Sequence, residues 1–179
     1  MKKILEASYQ NQKEASKSLA DMGYKYDPEL STNESKVFLD KHNRPNIAFR
    51  GSKRVSDFLL SDAALAVGLE KYDRRFQEAK HLTKLVEDKY NQPANVWGHS
   101  LGASLGEKSG ANGKIVTYNK GAGLFDIGKT IPKNQTDYRT TSDPVSIIST
   151  TQKHRGIFEQ IESPKFQNPL DAHGLMSLT

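Results

Sequence analysis

The sequence predicts a single α/β domain in which a sheet of β-strands is layered against helices. Segments with strand character lie before and after helical segments along the chain, which is typical of a layered α/β sheet. With 179 residues and 20.0 kDa the chain has the size of one domain with one core. We therefore expect residues 1–179 to form one domain.

The elements of the first half are predicted from hydrophobic spacing and turn residues. Residues 3–22 carry apolar side chains at helical spacing and stop at Gly23, which predicts one amphipathic helix. A polar connection is expected next. Two apolar triplets, 37–39 and 47–49, flank a turn-forming stretch and therefore predict a hairpin.

The second half contains one further long helix and several strands. Residues 73–90 have apolar side chains on one helical face and are followed by stop signals, so they predict a helix. Segments 115–118 and 138–141 predict strands. The tail, 151–179, is expected to be mostly loop with a short helix around 158–162.

One short motif predicts chemistry. Its residues are Gly98, His99, Ser100, Leu101 and Gly102. They match the G-x-S-x-G pattern of a nucleophile elbow, in which a strained turn between strand and helix lifts the serine hydroxyl clear of the sheet. The context fits, because 94–97 suits a buried strand and 101–107 a helix. Side chains at either glycine would collide where the helix crosses back over the strand.

A serine nucleophile needs an imidazole base, because a free hydroxyl is a poor nucleophile at neutral pH. Folds built on this elbow have the chain order serine, acid, histidine, which leaves His154 and His173. The local sequence favours His173, because His154 stands in a stretch that resembles plain solvated surface.

The acid that orients the imidazole should lie just past the end of a later strand. Asp143 fits, because it closely follows the strand predicted at 138–141. A simple turn at Asp143-Pro144 explains this aspartate equally well. Asp126, in a glycine-rich loop, and Asp137, before the strand, are less well placed.

Composition excludes several classes of site. The chain has no cysteine, so disulfides, thiolate metal sites and a cysteine nucleophile are excluded. The net charge of +5 would suit a polyanion or an anionic membrane surface. The basic residues are nevertheless mixed with acidic ones, and no RNA-binding signature or zinc spacing occurs. We therefore expect no nucleic acid partner.

No targeting element is predicted from the sequence. No window approaches the roughly 18 consecutive apolar residues of a membrane span, and polar residues interrupt any apolar region near the start. These observations favour the cytoplasm without fixing the compartment. The mean hydropathy of −0.70 predicts a lean core and a very polar surface.

Five blocks occur in the order found in class 3 lipases. They are Phe49-Arg50-Gly51-Ser52, Gly98-His99-Ser100-Leu101-Gly102, Thr117-Tyr118-Asn119-Lys120-Gly121, Ser142-Asp143-Pro144-Val145 and Asp171-Ala172-His173. With them the chain resembles these fungal-type lipases and related phospholipases, which have an α/β-hydrolase fold. The resemblance covers 36–179 and leaves 1–35 as an N-terminal helix and connection.

The resemblance implies a role for each residue of a site. Ser100 would be the nucleophile, Asp143 the orienting acid and His173 the base. The oxyanion hole would come from the N–H of Leu101 and from Ser52, whose hydroxyl can also donate. It further implies a compact α/β-hydrolase-like sheet, no metal or organic cofactor, and hydrolysis of a lipid ester through an acyl-enzyme.

The segment that follows Ser52 corresponds in the family to an amphipathic lid. Residues 55–69 occupy that place, and its apolar side chains would face either lipid or the core. Those assigned to the lid are Phe58, Leu59, Leu60 and Leu65. The positive charge slightly favours an anionic phospholipid interface, so contact with a membrane or lipid interface is a further expectation.

The chain also departs from the family pattern. The segment between Ser100 and Asp143 is compressed, and 118–123 differ from the usual family block. A second interpretation is therefore a catalytically inactive hydrolase fold that binds an anionic surface or a protein partner. For the first interpretation, an active lipid ester hydrolase, both neutral acylglycerol and phospholipid remain open as substrates.

Overall fold

A computed structural model of the chain describes residues 1–52, 73–123, 126–162 and 169–175. In these ranges the protein has a mostly parallel central sheet with helices packed on both faces. The predicted α/β class is therefore confirmed.

The helices and strands are numbered in chain order. The helices are α1 (Lys2–Tyr9), α2 (Gln12–Ala20), α3 (Asp73–Tyr90), α4 (Leu101–Glu107) and α5 (Pro169–His173), with a 3-10 helix at Ile147–Thr151. The strands are β1 (Lys25–Asp27), β2 (Ser35–Leu39), β3 (Pro45–Phe49), β4 (Asn95–His99), β5 (Ile115–Tyr118), β6 (Thr130–Ile131), β7 (Gln135–Thr140), β8 (Lys153–His154) and β9 (Ile157–Ile161). None of the helices in the described ranges is long and apolar enough to cross a bilayer.

The central sheet has the strand order β1-β2-β3-β4-β5-β7-β9. The pairs β1–β2 and β2–β3 are antiparallel, and every later pair, from β3–β4 to β7–β9, is parallel. Strands β6 and β8 form a separate short pair. The carboxyl ends of β3, β4, β5 and β7 therefore meet at one edge of the sheet, where open α/β sheets bind their ligands.

Each face of the sheet has its own apolar core. Successive side chains of a strand point to opposite faces, so neighbouring residues of β2, β3 and β4 enter different cores. The core beneath α3 and α4 includes Val37, Ile47, Val96, Val86 and Leu105. The core beneath α1 and α2 includes Phe38, Ala48, Ala7, Ala15 and Leu19. The N-terminal helices thus form the second helical layer of the domain.

The N-terminal region contains two helices, so the prediction of a single helix over 3–22 is wrong. The break falls before Asn11, whose side-chain oxygen accepts a hydrogen bond from the N–H of Glu14 at 2.9 Å. Such an N-cap satisfies a donor that the start of a helix leaves free. Gly23 has a φ of +77°, which fits its predicted role after the helical region.

Most of the other elements agree with prediction. The hairpin of β2 and β3 is confirmed, as are α3 over 73–90, α4 over 101–107 and β5 over 115–118. Strand β7 begins at Gln135, three residues before the predicted start, so Asp137 lies inside the strand and not before it.

Two short strands contradict the predictions for their segments. The helix expected around 158–162 is wrong, because β9 over Ile157–Ile161 is an edge strand paired with β7. Within the expected polar connection, Lys25–Asp27 forms β1 at the opposite edge and pairs with β2. Both segments are short, three residues in β1 and five in β9, so hydrogen bonds to the neighbouring strand contribute much to their conformation.

Candidate active site

Ser100 lies in the turn between β4 and α4. Its φ of 57° and ψ of −126° are uncommon for a residue with a side chain. Main-chain hydrogen bonds hold it there: its N–H donates to the carbonyl of Tyr118 at 3.1 Å, and its carbonyl accepts from the N–H of Gly121 at 3.2 Å. The turn is therefore fixed against the end of the neighbouring strand β5.

The two glycines of the motif have no room for a side chain. A Cβ added at Gly98 would lie 2.6 Å from Cα of Ala103 and would also overlap the carbonyl of Gly102. A Cβ added at Gly102 would overlap the carbonyl of Phe49 on the adjacent strand β3. The close approach of helix to strand therefore requires glycine at both positions.

We expect Gly98→Ala to destabilise the fold by about 3 kcal/mol, because the clash is with main-chain atoms that cannot rotate away. Thermal unfolding of wild type and variant measures this. Gly121→Ala is the matched control, because an added Cβ there meets its nearest neighbour at 3.6 Å. Equal melting temperatures for Gly98→Ala and wild type would show that the turn is not packed as described.

Three side chains from distant parts of the chain form one hydrogen-bonded series. The hydroxyl of Ser100 lies 2.8 Å from Nε2 of His173. Nδ1 of His173 lies 3.0 Å from each carboxylate oxygen of Asp143. His173 and Asp143 are both 0% exposed, and Ser100 is 5% exposed. The carboxylate accepts from Nδ1, which leaves Nε2 free to accept the hydroxyl proton.

Asp143 is held by its own loop. Its carboxylate accepts hydrogen bonds from the N–H groups of Val145, at 3.0 Å, and Ser146, at 3.2 Å. Burial by itself would raise the pKa of Asp143, but the hydrogen bond from His173 and those from the loop outweigh burial and lower the pKa below its ordinary value. The carboxylate is therefore ionised at neutral pH and suited to hold the imidazole.

The main chain at His173, the last residue of α5, is tied directly to the ends of β4 and β5 and, through Asn119, to the end of β7. The side-chain amide of Asn119 donates to the carbonyls of Ala172, at 2.9 Å, and His173, at 3.0 Å. Its oxygen accepts from the N–H of Thr140 at 2.8 Å. The ring of His99 contacts the same carbonyl of His173 through Nε2 at 2.7 Å. The position of the imidazole thus follows from contacts with β4, β5 and β7.

The two residues predicted to form an oxyanion hole border the serine. Leu101 is the first residue of α4, where N–H groups have no acceptor within the helix. Ser52 follows Gly51, and a Cβ added at Gly51 would lie 3.1 Å from Cβ of Ser100. Among the described residues, the buried hydroxyl oxygen of Ser52 has no hydrogen-bond partner.

The other candidates from the sequence take part in separate contacts. Nδ1 of His154 lies 3.3 Å from Asp137, which also pairs with Lys120 at 2.8 Å. Asp126 pairs with Lys108 at 3.0 Å and with a second lysine. Of the two histidines and three aspartates considered, His173 and Asp143 are the ones in hydrogen-bond contact with each other and, through His173, with Ser100.

The contacts of three residues near this series were not predicted. Asn119 belongs to one of the blocks that resemble class 3 lipases, so the sequence drew attention to it. Its contacts with His173 and Thr140 depend on the packing of other elements and could not be predicted. His99 was named only as a residue of the nucleophile elbow, and its ring contacts the main chain of His173. Tyr9 contacts His99 from α1, and no local pattern in the sequence connects residues so far apart.

The predicted lid lies outside the described residues. This concerns the segment 55–69 with Phe58, Leu59, Leu60 and Leu65. In the part of the chain that the structure describes, no cluster of three or more histidine, aspartate or glutamate side chains could hold a metal ion.

Comparison with known proteins gives a likeness of fold. No family model and no curated protein matches the sequence. Among solved structures the chain is similar to a crystal structure of a mutant form of MDLA from Penicillium cyclopium, with a TM-score of 0.55 and 17% sequence identity. The match covers 93% of this chain and 79% of that chain. At this identity the likeness concerns the fold alone.

Proposed function

We propose that this protein is a serine ester hydrolase with an α/β-hydrolase fold, and that it acts on a lipid ester through an acyl-enzyme at Ser100. The observation that carries the proposal is the hydrogen-bonded series of Ser100, His173 and Asp143, with contacts of 2.8 and 3.0 Å. Serine, imidazole and carboxylate in this order constitute the activated nucleophile of acyl transfer.

The first half of the reaction forms the acyl-enzyme. Nε2 of His173 takes the proton of the Ser100 hydroxyl as the oxygen attacks the ester carbonyl carbon. Asp143 stabilises the imidazolium and keeps Nδ1 protonated. When the tetrahedral intermediate collapses, the bond to the leaving alcohol breaks, and the imidazolium gives its proton to the alkoxide.

The second half returns the enzyme to its starting state. Water attacks the acyl carbonyl carbon while His173 takes one of its protons, and the acid leaves as Ser100 recovers its hydroxyl hydrogen. In both halves a negative charge develops on the carbonyl oxygen. The N–H of Leu101 and donors at Ser52 are the groups proposed to stabilise it, and such donors each contribute about 3 kcal/mol.

Several observations support the finer parts of the proposal. The main-chain angles of Ser100 and the close glycine contacts fit a nucleophile elbow. The likeness of fold to MDLA covers 93% of this chain. The choice of a lipid ester rests on the resemblance to class 3 lipases, and the net charge of +5 favours an anionic interface.

A panel of nitrophenyl esters of increasing acyl length tests the proposal. We expect wild type to hydrolyse short-chain esters, and His173→Ala to lose this turnover while staying folded. Rates below and above the aggregation threshold of the longer esters separate two cases: a jump indicates an enzyme activated at lipid interfaces, and smooth saturation indicates an esterase.

The same panel tests the alternative of an inactive binding module. Folded wild type that hydrolyses none of the esters, but binds vesicles containing anionic phospholipid, would contradict the proposed activity and support the alternative. Turnover that is lost in His173→Ala would exclude the inactive module.

A further inference from the structure

We propose that Tyr9 and His99 are positioning residues, which hold the main chain at His173 and the loop at 51–52 in a single arrangement. This inference rests on the proposed function, because the two segments would carry the base and an oxyanion donor. Tyr9 belongs to 1–35, outside the region that resembles class 3 lipases. The inference therefore gives the N-terminal helix a part in the reaction.

The contacts of His99 fix which ring nitrogen carries the hydrogen. Nε2 lies 2.7 Å from the carbonyl of His173, and a carbonyl only accepts, so Nε2 donates. Nδ1 lies 2.7 Å from the hydroxyl of Tyr9. Burial, with the nearby charge of His173 as the second cause, lowers the pKa of His99 to about 3. The ring is neutral, so Nδ1 accepts the hydroxyl hydrogen of Tyr9.

Tyr9 extends the series to the end of β3. Its hydroxyl oxygen accepts a hydrogen bond from the N–H of Gly51 at 3.2 Å. A side chain at Gly51 would overlap this hydroxyl, so glycine is what lets the tyrosine reach the main chain. Burial raises the pKa of Tyr9 to about 12, so the hydroxyl keeps its hydrogen. Every donor from Gly51 to the carbonyl of His173 therefore has a defined direction.

This series joins two parts of the site that come from distant positions in the sequence. The residue after Gly51 is Ser52, the residue after His99 is Ser100, and the series ends on His173 itself. The rings of His99 and His173 also pack at a centroid distance of 5.0 Å. Misplacing a reacting group by about 1 Å costs roughly 100-fold in rate, so a side chain that sets the spacing of all three segments affects the chemical step.

The variant Tyr9→Phe removes the hydroxyl and keeps the ring. We expect kcat for a short-chain ester to fall roughly 10- to 100-fold with little change in KM, because alignment is lost and substrate contacts are not. Tyr24→Phe is the matched control: Tyr24 packs on Phe38 in the core beneath α1 and α2, with ring centroids 5.1 Å apart, and we expect this substitution to leave kcat unchanged.

A double-mutant cycle tests whether the hydroxyl acts through the imidazole. In the background of His99→Leu, we expect Tyr9→Phe to lower kcat several-fold less than it does in wild type, because the contact with the imidazole is already absent and only the hydrogen bond from the N–H of Gly51 is left to lose. His99→Gln, which keeps a donor and an acceptor, should recover part of the activity that His99→Leu loses. Equal losses from Tyr9→Phe in both backgrounds, or an unchanged kcat in Tyr9→Phe, would overturn the inference.

Nitrogen NMR of the histidine side chains separates this inference from the proposed function. We expect His99 to be neutral with hydrogen on Nε2 at pH 5, and its Nδ1 resonance to shift in Tyr9→Phe. Hydrogen on Nδ1 would overturn the inference whatever the activity. Wild type that hydrolyses no ester would overturn the proposed function, and with it the positioning role, even where NMR finds the hydrogen bonds in place.

Discussion

Ser100→Ala is expected to lower kcat for a short-chain ester by roughly 10⁴- to 10⁶-fold. The substitution removes the oxygen that would form the acyl-enzyme, and neither His173 nor Asp143 can replace it. KM should change little, because the hydroxyl contributes to the reaction more than to substrate binding. Steady-state kinetics with a nitrophenyl ester at saturating concentration measures the loss.

The control for this loss is a serine of the same helical region. Ser109 follows α4, and its hydroxyl donates to the carbonyl of Gly106 at 2.7 Å. We expect Ser109→Ala to keep full activity. Comparable turnover in Ser100→Ala and wild type, with both proteins folded, would refute the assignment of the nucleophile.

Asp143→Asn is expected to lower kcat by roughly 10⁴-fold. An amide has nearly the shape of the carboxylate, but it lacks the charge that stabilises the imidazolium, and its NH2 group can favour the wrong tautomer of His173. The N–H groups of Val145 and Ser146 donate to different carboxylate oxygens, so the single amide oxygen keeps one of these hydrogen bonds and the loop is expected to lose some stability but stay folded. Kinetics measures the loss of turnover, and circular dichroism shows whether the variant stays folded. The two measurements together separate a loss of catalysis from a loss of structure.

The matched control is Asp126→Asn, at the aspartate that the sequence left as another candidate. Asp126 is buried and pairs with Lys108 and Lys129, so its substitution should reduce stability more than activity. If Asp126→Asn abolished turnover and Asp143→Asn did not, the acid would have been assigned to the wrong residue.

Local pattern was sufficient to predict the elements that contribute most to the core. The helix at 73–90 places Ala79 and Val86 in the core on one face, and its polar stop signals mark its end. The bounds of β5 and α4 also follow from short runs of suitable residues. In these segments the preference of the chain and its tertiary environment agree, which is why the sequence suffices.

The elements that were not predicted are those whose conformation depends on contacts with the rest of the fold. Strand β9 pairs with β7. Ile157, Phe158 and Ile161 are of types enriched in strands, but five residues in a polar tail give too short a pattern to separate strand from helix. The break between α1 and α2 was accessible in principle, because Asn11 is a good N-cap residue. The apolar side chains keep helical spacing across 3–22, so this pattern predicted one continuous helix.

The residues of the candidate site likewise include some that the sequence predicts and others whose contacts it does not predict. Ser100 could be predicted from its motif. Chain order and local sequence favoured His173, whereas Asp143 was no better supported than a simple turn until the resemblance to class 3 lipases assigned it as the acid. The contacts of Tyr9, His99 and Asn119 with the site depend on how three layers pack. No spacing along the chain encodes them.

Covalent labelling by a fluorophosphonate probe tests the central claim most directly. The reagent reacts with a serine only where a base activates it, so its site of attachment reports the nucleophile without knowledge of the substrate. We predict one adduct in folded wild type, located on Ser100 by peptide mass spectrometry, and none in Ser100→Ala. An adduct on another residue, or a folded wild type that stays unlabelled, would contradict the account.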